Sequence, residues 1–263
     1  MYAVEYQRAK SVADAAAALA KTGGRALAGG QSLVGAMKLR LANPGTVVDL
    51  SGIAELKGIK KEGEAIVIGA LTTHAEVASS PVARQAIPAL AALAEGIGDR
   101  QVRNRGTIGG SVANNDPAAD YPAAVVGLNA TVQTNKRKIA ADDFFKGLYE
   151  TALASDEIVT ALSFPIPKKA AYVKFPQPAS RFALVGVFVA QTGSGVRVAV
   201  TGASSHAHRC KPIEDALAKS FTSDAAKAVK IPPTNLNNDL HGSAEYRAHL
   251  VSVLAGRAVA AMT

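Results

Sequence analysis

Cysteine is almost absent from this chain of 263 residues, in which Cys210 is the only one. A single thiol excludes an internal disulfide, the four thiolates that iron–sulfur clusters usually take, and a cysteine-based zinc site. We therefore expect no metal centre in the chain itself. Because 48% of the residues are hydrophobic, the chain has enough apolar material to fold around a core without such cross-links.

The chain also lacks tryptophan, and only 5% of its residues are aromatic. This scarcity argues against the stacking surfaces on which proteins bind bases, so we expect no nucleic-acid partner. No apolar stretch approaches the ~20 residues that span a bilayer. The opening residues, with Glu5 among them, contain no signal-peptide core. These absences predict a soluble, cytoplasmic protein without a membrane span.

Basic residues exceed acidic ones, and the formal net charge is +8. The excess is dispersed, since the tightest basic runs, at residues 60–61, 136–138 and 168–169, are short and lie beside turn-forming residues. Residues 171–263 hold 10 Lys and Arg against 5 Asp and Glu. This balance favours an anionic ligand or an acidic partner surface.

The order of the predicted elements indicates an α+β protein with a domain boundary near residue 170. Pro165, Pro167 and the lysines that follow mark an exposed connection there. The pattern predicts a larger first domain and a small α+β second domain. The boundaries are residues 1–170 for the first domain, with subdomains of about 1–57 and 58–170, and residues 171–263 for the second.

Local patterns predict the main elements of these domains. Ser11 is placed to cap a first helix, and a second helix is expected over residues 33–42. Two hairpins are expected to turn at Glu62–Gly63 and Asn135–Lys136. Pro88 requires a break or a kink between helical segments.

Two glycine pairs are the most informative feature of the sequence. The first lies in LAGGQS (residues 27–32) and the second in TIGGS (residues 107–111), each expected to follow a strand. Glycine lets backbone amides turn toward a ligand without a Cβ in the way, so two facing loops can hold a diphosphate. The alternative is that each pair makes a tight turn. Neither is a G-x-G-x-x-G or P-loop motif, which disfavours a Rossmann or P-loop fold.

Polar residues follow the second glycine pair closely. Asn114, Asn115, Asp116 and Asp120 are placed either to bind ribose or adenine edges or to cap helices, and their spacing does not decide between the two. Further along, His206, His208 and Cys210 alternate in a way that suits metal ligands on one side of an extended segment, although no fourth ligand is apparent. We expect no metal site there.

Four separated motifs together resemble one known family. In order, they are ALAGGQSLVGAMKLRLANPGTVVDL, VRNRGTIGGSVANNDPAADYPA, DEIVTALSFP and SAEYRAHL. They resemble the FAD-binding medium subunit of molybdenum hydroxylases, such as carbon monoxide, aldehyde and xanthine dehydrogenases, over essentially the whole chain. The resemblance implies a PCMH-type FAD-binding fold of two α+β subdomains plus a C-terminal α+β domain.

The resemblance also implies which residues contact FAD. The diphosphate would lie against the two glycine motifs, Asp120 would contact the adenosine part, and Val159 and Lys174 would lie near the flavin ring. No side chain is expected to act as a catalytic acid or base. The implied cofactor-binding residues are Ala28, Gly29, Gly30, Gln31, Ser32, Leu33, Val34, Thr107, Ile108, Gly109, Gly110, Ser111, Asp120, Val159 and Lys174.

By the same resemblance, the chain is the electron-transfer subunit of an oxidoreductase. Electrons would come from iron–sulfur clusters in a small subunit, pass through FAD and leave to NAD, a quinone or oxygen, while a large subunit carries the molybdopterin. The implied assembly is a dimer of heterotrimers. A free-standing FAD-dependent reductase of the same broader fold and a non-catalytic binding module are the alternatives.

Overall fold

The first of the three sheets that have more than two strands is small and parallel. A computed structural model describes residues 1–262 of the chain. The strand order β1-β3-β2 places the carboxyl ends of β2 and β3 side by side. The elements of this group are β1 (Glu5–Arg8), α1 (Val12–Thr22), β2 (Arg25–Leu27), α2 (Leu33–Lys38) and β3 (Thr46–Asp49).

The second group is built on an antiparallel sheet of order β4-β5-β10-β6-β7, with its helices inserted between the strands. A 3-10 turn at Ala54–Leu56 leads into it. Its elements are β4 (Ile59–Glu62), β5 (Ala65–Gly69), α3 (His74–Ser79), α4 (Pro81–Ala86), α5 (Pro88–Glu95), α6 (Arg100–Arg105), α7 (Ile108–Asn114), α8 (Tyr121–Gly127), β6 (Thr131–Thr134), β7 (Lys138–Ala140), α9 (Ala141–Phe144), β8 (Phe145–Gly147), β9 (Glu150–Thr151) and β10 (Val159–Pro165).

The third group packs helices on an antiparallel sheet of order β11-β12-β13-β14. Its apolar cluster joins the inner residues of β12 and β13 to the long last helix. Its elements are β11 (Lys169–Pro176), β12 (Ala183–Thr192), β13 (Gly195–Thr201), β14 (His208–Arg209), α10 (Lys211–Lys219), α11 (Ser223–Lys227) and α12 (Ala244–Ala260). The α+β class predicted from the sequence is confirmed. The domain boundary near residue 170 stays a prediction.

Local signals set the ends of several elements. The Ser11 side chain accepts a hydrogen bond from the amide of Asp14 and caps α1. Thr73 and Glu76 form a capping box at the start of α3. Pro88 is the first residue of α5, so the helical segments break there. Both predicted hairpins, β4–β5 and β6–β7, are present.

Two predictions about elements were wrong. The second helix ends at Lys38 rather than near residue 42, because Arg40 adopts a left-handed conformation with φ 61°. The second glycine pair does not follow a strand. The polar segment before it forms α6, and the pair itself lies in the first turn of α7, where the Thr107 side chain accepts a hydrogen bond from the amide of Gly110.

The third sheet is joined to the helices of the second group by polar and apolar contacts. Thr201 donates from its hydroxyl to the carbonyl oxygens of Pro117 (3.0 Å) and Ala119 (2.7 Å). Phe188 of β12 belongs to the main apolar cluster of the second group and packs against Gly127. Within residues 1–262, no helix is both long and apolar enough to cross a membrane.

Candidate functional site

The first glycine loop, residues 28–32, connects the carboxyl end of β2 to α2. Gly30 has φ +75°, a conformation that favours glycine. The side-chain amide of Gln31 donates to the carbonyl oxygen of Gly29 (3.1 Å) and braces the loop. Among the hydrogen bonds of the described chain, none uses the backbone amide of Gly29, Gly30, Gln31 or Ser32 as donor. The loop therefore presents four adjacent amides that a ligand can engage.

A cavity of about 370 Å³ opens beside this loop. Its size is at the small end of ligand pockets, so it suits one part of a dinucleotide rather than a whole one. Four of its lining residues are polar side chains from neighbouring elements: Tyr6, Asp49, Ser51 and Arg105. The rest of the lining comes from the first glycine loop and its flanks: Leu27, Ala28, Gly29, Gly30, Gln31 and Val34.

The second glycine motif, residues 107–111, uses the amides of residues 108–111 within the protein. Ile108 donates to the carbonyl oxygen of Thr72 (3.0 Å) and Gly109 to that of Ala70 (2.9 Å). A Cβ on Gly109 would lie 2.4 Å from the Cβ of Ala70, so this glycine permits a close approach of two backbones. These amides dock α7 on the end of β5 and are not free for a ligand.

The two glycine motifs nevertheless lie side by side. A Cβ built on Gly29 would lie 2.0 Å from the carbonyl oxygen of Arg105. A Cβ on Gly110 would lie 3.5 Å from the Cβ of Ala28. The fold thus brings together residues that are about 80 positions apart in the sequence, and glycine at position 29 is what lets them touch.

Three of the remaining predicted site residues lie away from this cavity. The buried Asp120 accepts hydrogen bonds from the Tyr172 hydroxyl (2.5 Å) and the Lys174 ammonium (3.1 Å). Lys174 also donates to the carbonyl oxygen of Gly96 (2.9 Å). Val159 is 5% exposed and packs in the main core of the second group. Asp120 and Lys174 form one polar cluster, and Val159 is separate from it.

Burial dominates the electrostatics of this cluster. It raises the pKa of Asp120 above its ordinary value, against the opposing effects of Lys174 and Tyr172. Burial, together with the charge of Asp120, raises the pKa of Tyr172 well above 10.0. The phenol therefore stays protonated as the donor in this pair at neutral pH.

Comparison with known proteins decides the family. A family model described as the FAD binding domain in molybdopterin dehydrogenase matches residues 2–167. The chain is 36% identical to the nicotine 6-hydroxylase medium subunit of Paenarthrobacter nicotinovorans, over 98% of this chain and 96% of that one. It is also 36% identical to the carbon monoxide dehydrogenase medium chain of Hydrogenophaga pseudoflava, with 97% and 95% covered.

The chain belongs to this family. Solved structures agree: carbon monoxide dehydrogenase from Hydrogenophaga pseudoflava, in a form lacking the Mo-pyranopterin moiety, gives a TM-score of 0.90 over 99% of this chain and 97% of that one. Quinoline 2-oxidoreductase from Pseudomonas putida 86 gives 0.89 at 28% identity, with 99% and 97% covered. The prediction of an FAD-binding medium subunit of the molybdenum hydroxylases, an oxidoreductase component, is confirmed.

The residues of this medium subunit fit FAD at the first glycine loop. Four unused amides and an adjoining cavity meet the needs of a diphosphate. The second motif fits differently from the expectation. The amides of residues 108–111 are bonded within the protein, and Gly110 offers a small surface next to Ala28. The assignment of individual FAD contacts stays a prediction.

Sequence reasoning missed two buried residues behind this site. His74, at the start of α3, lies against Gly106, and its ring centroid is 5.3 Å from that of Tyr121. His74 Nδ1 and the Tyr121 hydroxyl have no hydrogen-bond partner. Burial lowers the pKa of His74 to about 4, and the charge of Arg103 adds to this effect. The position of His74 directly after the capping Thr73 was the only local signal for it. Its burial could not be predicted from this signal, because it depends on residues distant in the sequence.

The asparagines and histidines singled out in the sequence have structural partners. Asn115, buried and left-handed at φ 45°, ends α7 and donates to the carbonyl oxygens of Gly147 and Glu150 at 2.8 Å. His208 Nδ1 lies 2.9 Å from the Ser204 hydroxyl, and Cys210 is buried at the start of α10. No group of three or more candidate metal ligands is assembled anywhere in residues 1–262.

Proposed function

We propose that this chain is the flavin-carrying relay of a multi-subunit molybdenum hydroxylase. Bound FAD would supply the link between one-electron donors and one- or two-electron acceptors. The observation that carries the proposal is the first glycine loop, which has four unused amides and adjoins a cavity. The chain covers 95% or more of its medium-subunit relatives.

The role of each part of the chain follows from its geometry. Residues 28–34 would hold the diphosphate through backbone amides, which attract anions without a charged side chain. Residues 107–111 would fix the loop from behind and give the cofactor room at Gly110. Asp120 would contact the adenosine part, and Val159 and Lys174 would lie near the flavin ring.

The partners belong to the same proposal. We expect a small subunit with iron–sulfur clusters as electron donor, a large molybdopterin subunit that converts the substrate, and a dimer of heterotrimers as the assembly. NAD, a quinone or oxygen would be the external acceptor, and the location would be cytoplasmic. The single, buried Cys210 agrees with this division, because the chain has no thiolates for a cluster of its own.

The first experiment measures flavin binding by the purified chain. We expect a bound-flavin absorbance spectrum and a melting temperature that rises with FAD concentration. Purification from the native host, followed by mass spectrometry, should recover the two partner subunits. Oxidation of NAD(P)H with a small substrate by the chain alone would favour the free-standing reductase. An absence of flavin binding at saturating FAD would contradict the proposal.

A pair of variants at Gly30 tests the position of the diphosphate. Gly30→Asp brings a carboxylate toward the loop amides, whereas Gly30→Asn has nearly the same shape without the charge. Both share the cost of φ +75° and of a Cβ 3.0 Å from Val34. We expect the aspartate variant to lose FAD and the asparagine variant to keep a measurable fraction. Equal FAD affinity in the two variants would place the diphosphate elsewhere.

A further inference from the structure

An exposed apolar and basic patch lies at the end of α2. Leu39 and Leu41 are large apolar residues, yet they are 73% and 79% exposed. Arg40, between them, places its guanidinium 5.7 Å from the ring centroid of Tyr2, which is itself 48% exposed. Together with Lys38 these residues form the α2-end patch: Tyr2, Lys38, Leu39, Arg40 and Leu41. Single exposed apolar residues are common, but a group of them marks an interaction site.

The backbone fixes this patch outside the core. Arg40 has φ 61°, in the left-handed region that residues other than glycine seldom adopt. Its amide donates to the carbonyl oxygen of Met37 (3.1 Å), and the amide of Leu41 donates to that of Ala36 (2.8 Å). Because the turn is held in this way, Leu39 and Leu41 form a preformed surface, and such a surface loses little conformational entropy when a partner covers it.

The charge of the patch is positive. Residues 29–48 contain Lys38 and Arg40 but no Asp or Glu. Within residues 1–262, neither of these two side chains forms an ion pair. Protein interfaces bring together surfaces of opposite potential, and arginine is enriched in them. The patch therefore fits a protein surface that is apolar at its centre and acidic at its rim.

The patch also lies close to the first glycine loop. The helix α2 begins directly after this loop and has six residues (Leu33–Lys38), which span about 9 Å. A protein that covers the patch is thus one short helix away from the expected FAD site. Electron transfer slows steeply as donor and acceptor move apart, so the subunit that donates electrons has to dock near FAD. The subunit that converts the substrate has no such requirement.

We propose that the α2-end patch is the docking surface for the iron–sulfur small subunit, which would present an apolar face with an acidic rim. The inference rests on the proposed function, since it needs FAD at the first glycine loop and an iron–sulfur partner. Leu39 and Leu41 would be buried at the centre of the interface. Lys38 and Arg40 would pair with carboxylates of the partner, and Tyr2 would support the Arg40 side chain.

Leu41→Asp tests the apolar part of the patch in the complete complex. Each form is purified from the native host through an affinity tag on this chain, and the small subunit is measured by mass spectrometry and by the ratio of iron to FAD. The interface would bury the new carboxylate, so this ratio should fall on the order of 10-fold or more. Leu240→Asp makes the same change at a leucine that is 91% exposed and should keep the ratio of the unaltered complex.

Lys38→Glu tests the charged part. Salt screens exposed charges, so the unaltered complex should lose the small subunit progressively as the salt concentration rises. The Lys38→Glu complex should lose it already at low salt, with an iron-to-FAD ratio about 10-fold lower. Lys61→Glu reverses the charge of an exposed lysine in β4 and should behave as the unaltered complex does. Equal ratios in the unaltered, Lys38→Glu and Lys61→Glu complexes at every salt concentration would overturn the charged contact.

The outcomes separate this inference from the proposed function. If the unaltered chain binds no FAD and recovers no partner subunits, the proposed function fails. If it recovers both subunits, and Leu41→Asp and Lys38→Glu do so equally well, the function stands and only the docking surface falls. The FAD content and melting temperature of each variant chain alone show whether its fold is kept.

Two further results would give the patch to another occupant and overturn the proposal. One is loss of the large subunit from Leu41→Asp while the small subunit is retained. The other is a dimer of the unaltered chain alone, seen by light scattering, that Leu41→Asp converts to a monomer.

Discussion

A close backbone contact at Gly29 holds the first glycine loop against the segment that leads into the second motif. Because a Cβ at this position would lie 2.0 Å from the carbonyl oxygen of Arg105, neither partner can yield by a rotamer change. Gly29→Ala should move the loop away from residues 105–106 and cost about 1–3 kcal/mol of stability.

The measurements for Gly29→Ala are urea unfolding and FAD occupancy. We expect both stability and FAD binding to fall. Gly35→Ala is the control, since a Cβ there meets nothing within 4 Å and Gly35 lies inside α2. It should leave FAD binding unchanged and raise stability by up to about 1 kcal/mol. Unchanged FAD binding by Gly29→Ala would show that the contact does not shape the site.

The buried His74 predicts an acid-sensitive fold. The unfolded chain binds a proton at this residue below its ordinary pKa of 6.5, whereas the folded chain does so only near pH 4. Protonation therefore favours unfolding, and stability falls as the pH decreases through this window. The contribution of His74 is roughly 3 kcal/mol between its two limits.

His74→Phe should flatten this part of the stability profile, measured as the unfolding free energy in urea between about pH 4 and pH 7. The comparison with the unaltered chain isolates His74 from carboxylates such as Glu157, whose pKa of about 2 also gives acid sensitivity. His241→Gln removes an exposed histidine and should leave the slope as it is. A variant slope equal to that of the unaltered protein would contradict the prediction.

At the scale of elements, one buried arginine adds hydrogen bonds to the apolar packing of α12 on the third sheet. Arg247 is 3% exposed and donates to the carbonyl oxygens of Leu184 (2.7 Å) and Gly202 (2.9 Å). It also forms two hydrogen bonds of 2.8 Å with Asp239. Arg247→Leu would leave these acceptors buried without a donor and should cost roughly 3 kcal/mol.

Urea unfolding of Arg247→Leu, with Arg257→Leu as the matched variant, checks this prediction. Arg257 lies in the last turn of the same helix and is exposed, so its loss should change stability by no more than about 0.5 kcal/mol. If both variants lost the same stability, the buried hydrogen bonds of Arg247 would not explain the attachment of α12.

The elements that could be predicted from the sequence are those that local residues determine. The cap at Ser11, the break at Pro88 and the two hairpins depend on neighbours within a few positions, and all are present. The second glycine motif was wrongly placed after a strand. Its helix starts there because Ile108 and Gly109 donate to carbonyls at residues 70–72, a tertiary contact that overrides the weak helix propensity of two glycines.

In the site, too, the features set by neighbouring residues could be predicted and those set by tertiary contacts could not. The first glycine loop could be recognised because its chemistry is local to one turn. That Asp49 and Arg105 line the cavity beside this loop could not be predicted, because β3 and α6 are more than 50 residues apart and only the folded chain brings them together. Similarly, Asp120 meets Tyr172 across 52 positions, and no spacing rule predicts that pair.

At the scale of the whole molecule, the second and third groups are joined by polar contacts, some of them buried. Arg197 of β13 donates to the carbonyl oxygen of Val126 (2.9 Å) and forms a short ion pair with Asp142 of α9. Arg209 of β14 reaches the same carboxylate at 3.3 Å. The Asp120 cluster adds a second connection beside the expected flavin site.

Asp142→Asn tests how much this connection contributes. It removes the charge that two arginines share and should cost about 1–2 kcal/mol, measured by urea unfolding at neutral pH. Asp143→Asn makes the same charge change at the adjacent, exposed position and should be nearly neutral. Because the Arg197 and Arg209 pairs lower the pKa of Asp142 against its burial, the difference between the variants should shrink in acid, where Asp142 is protonated in both folded and unfolded chains.

The backbone amides of the two glycine motifs also differ in how fast their hydrogens exchange with solvent. The amides of residues 29–32 have no acceptor in the protein, so they exchange with deuterated water without any opening of the fold. Those of Ile108 and Gly109 are bonded to the end of β5 and exchange only when α7 detaches. Deuterium uptake at the first set thus reports whether a ligand occupies the loop. Uptake at the second set reports local unfolding, so one exchange experiment follows the two events separately at positions within 80 residues of each other.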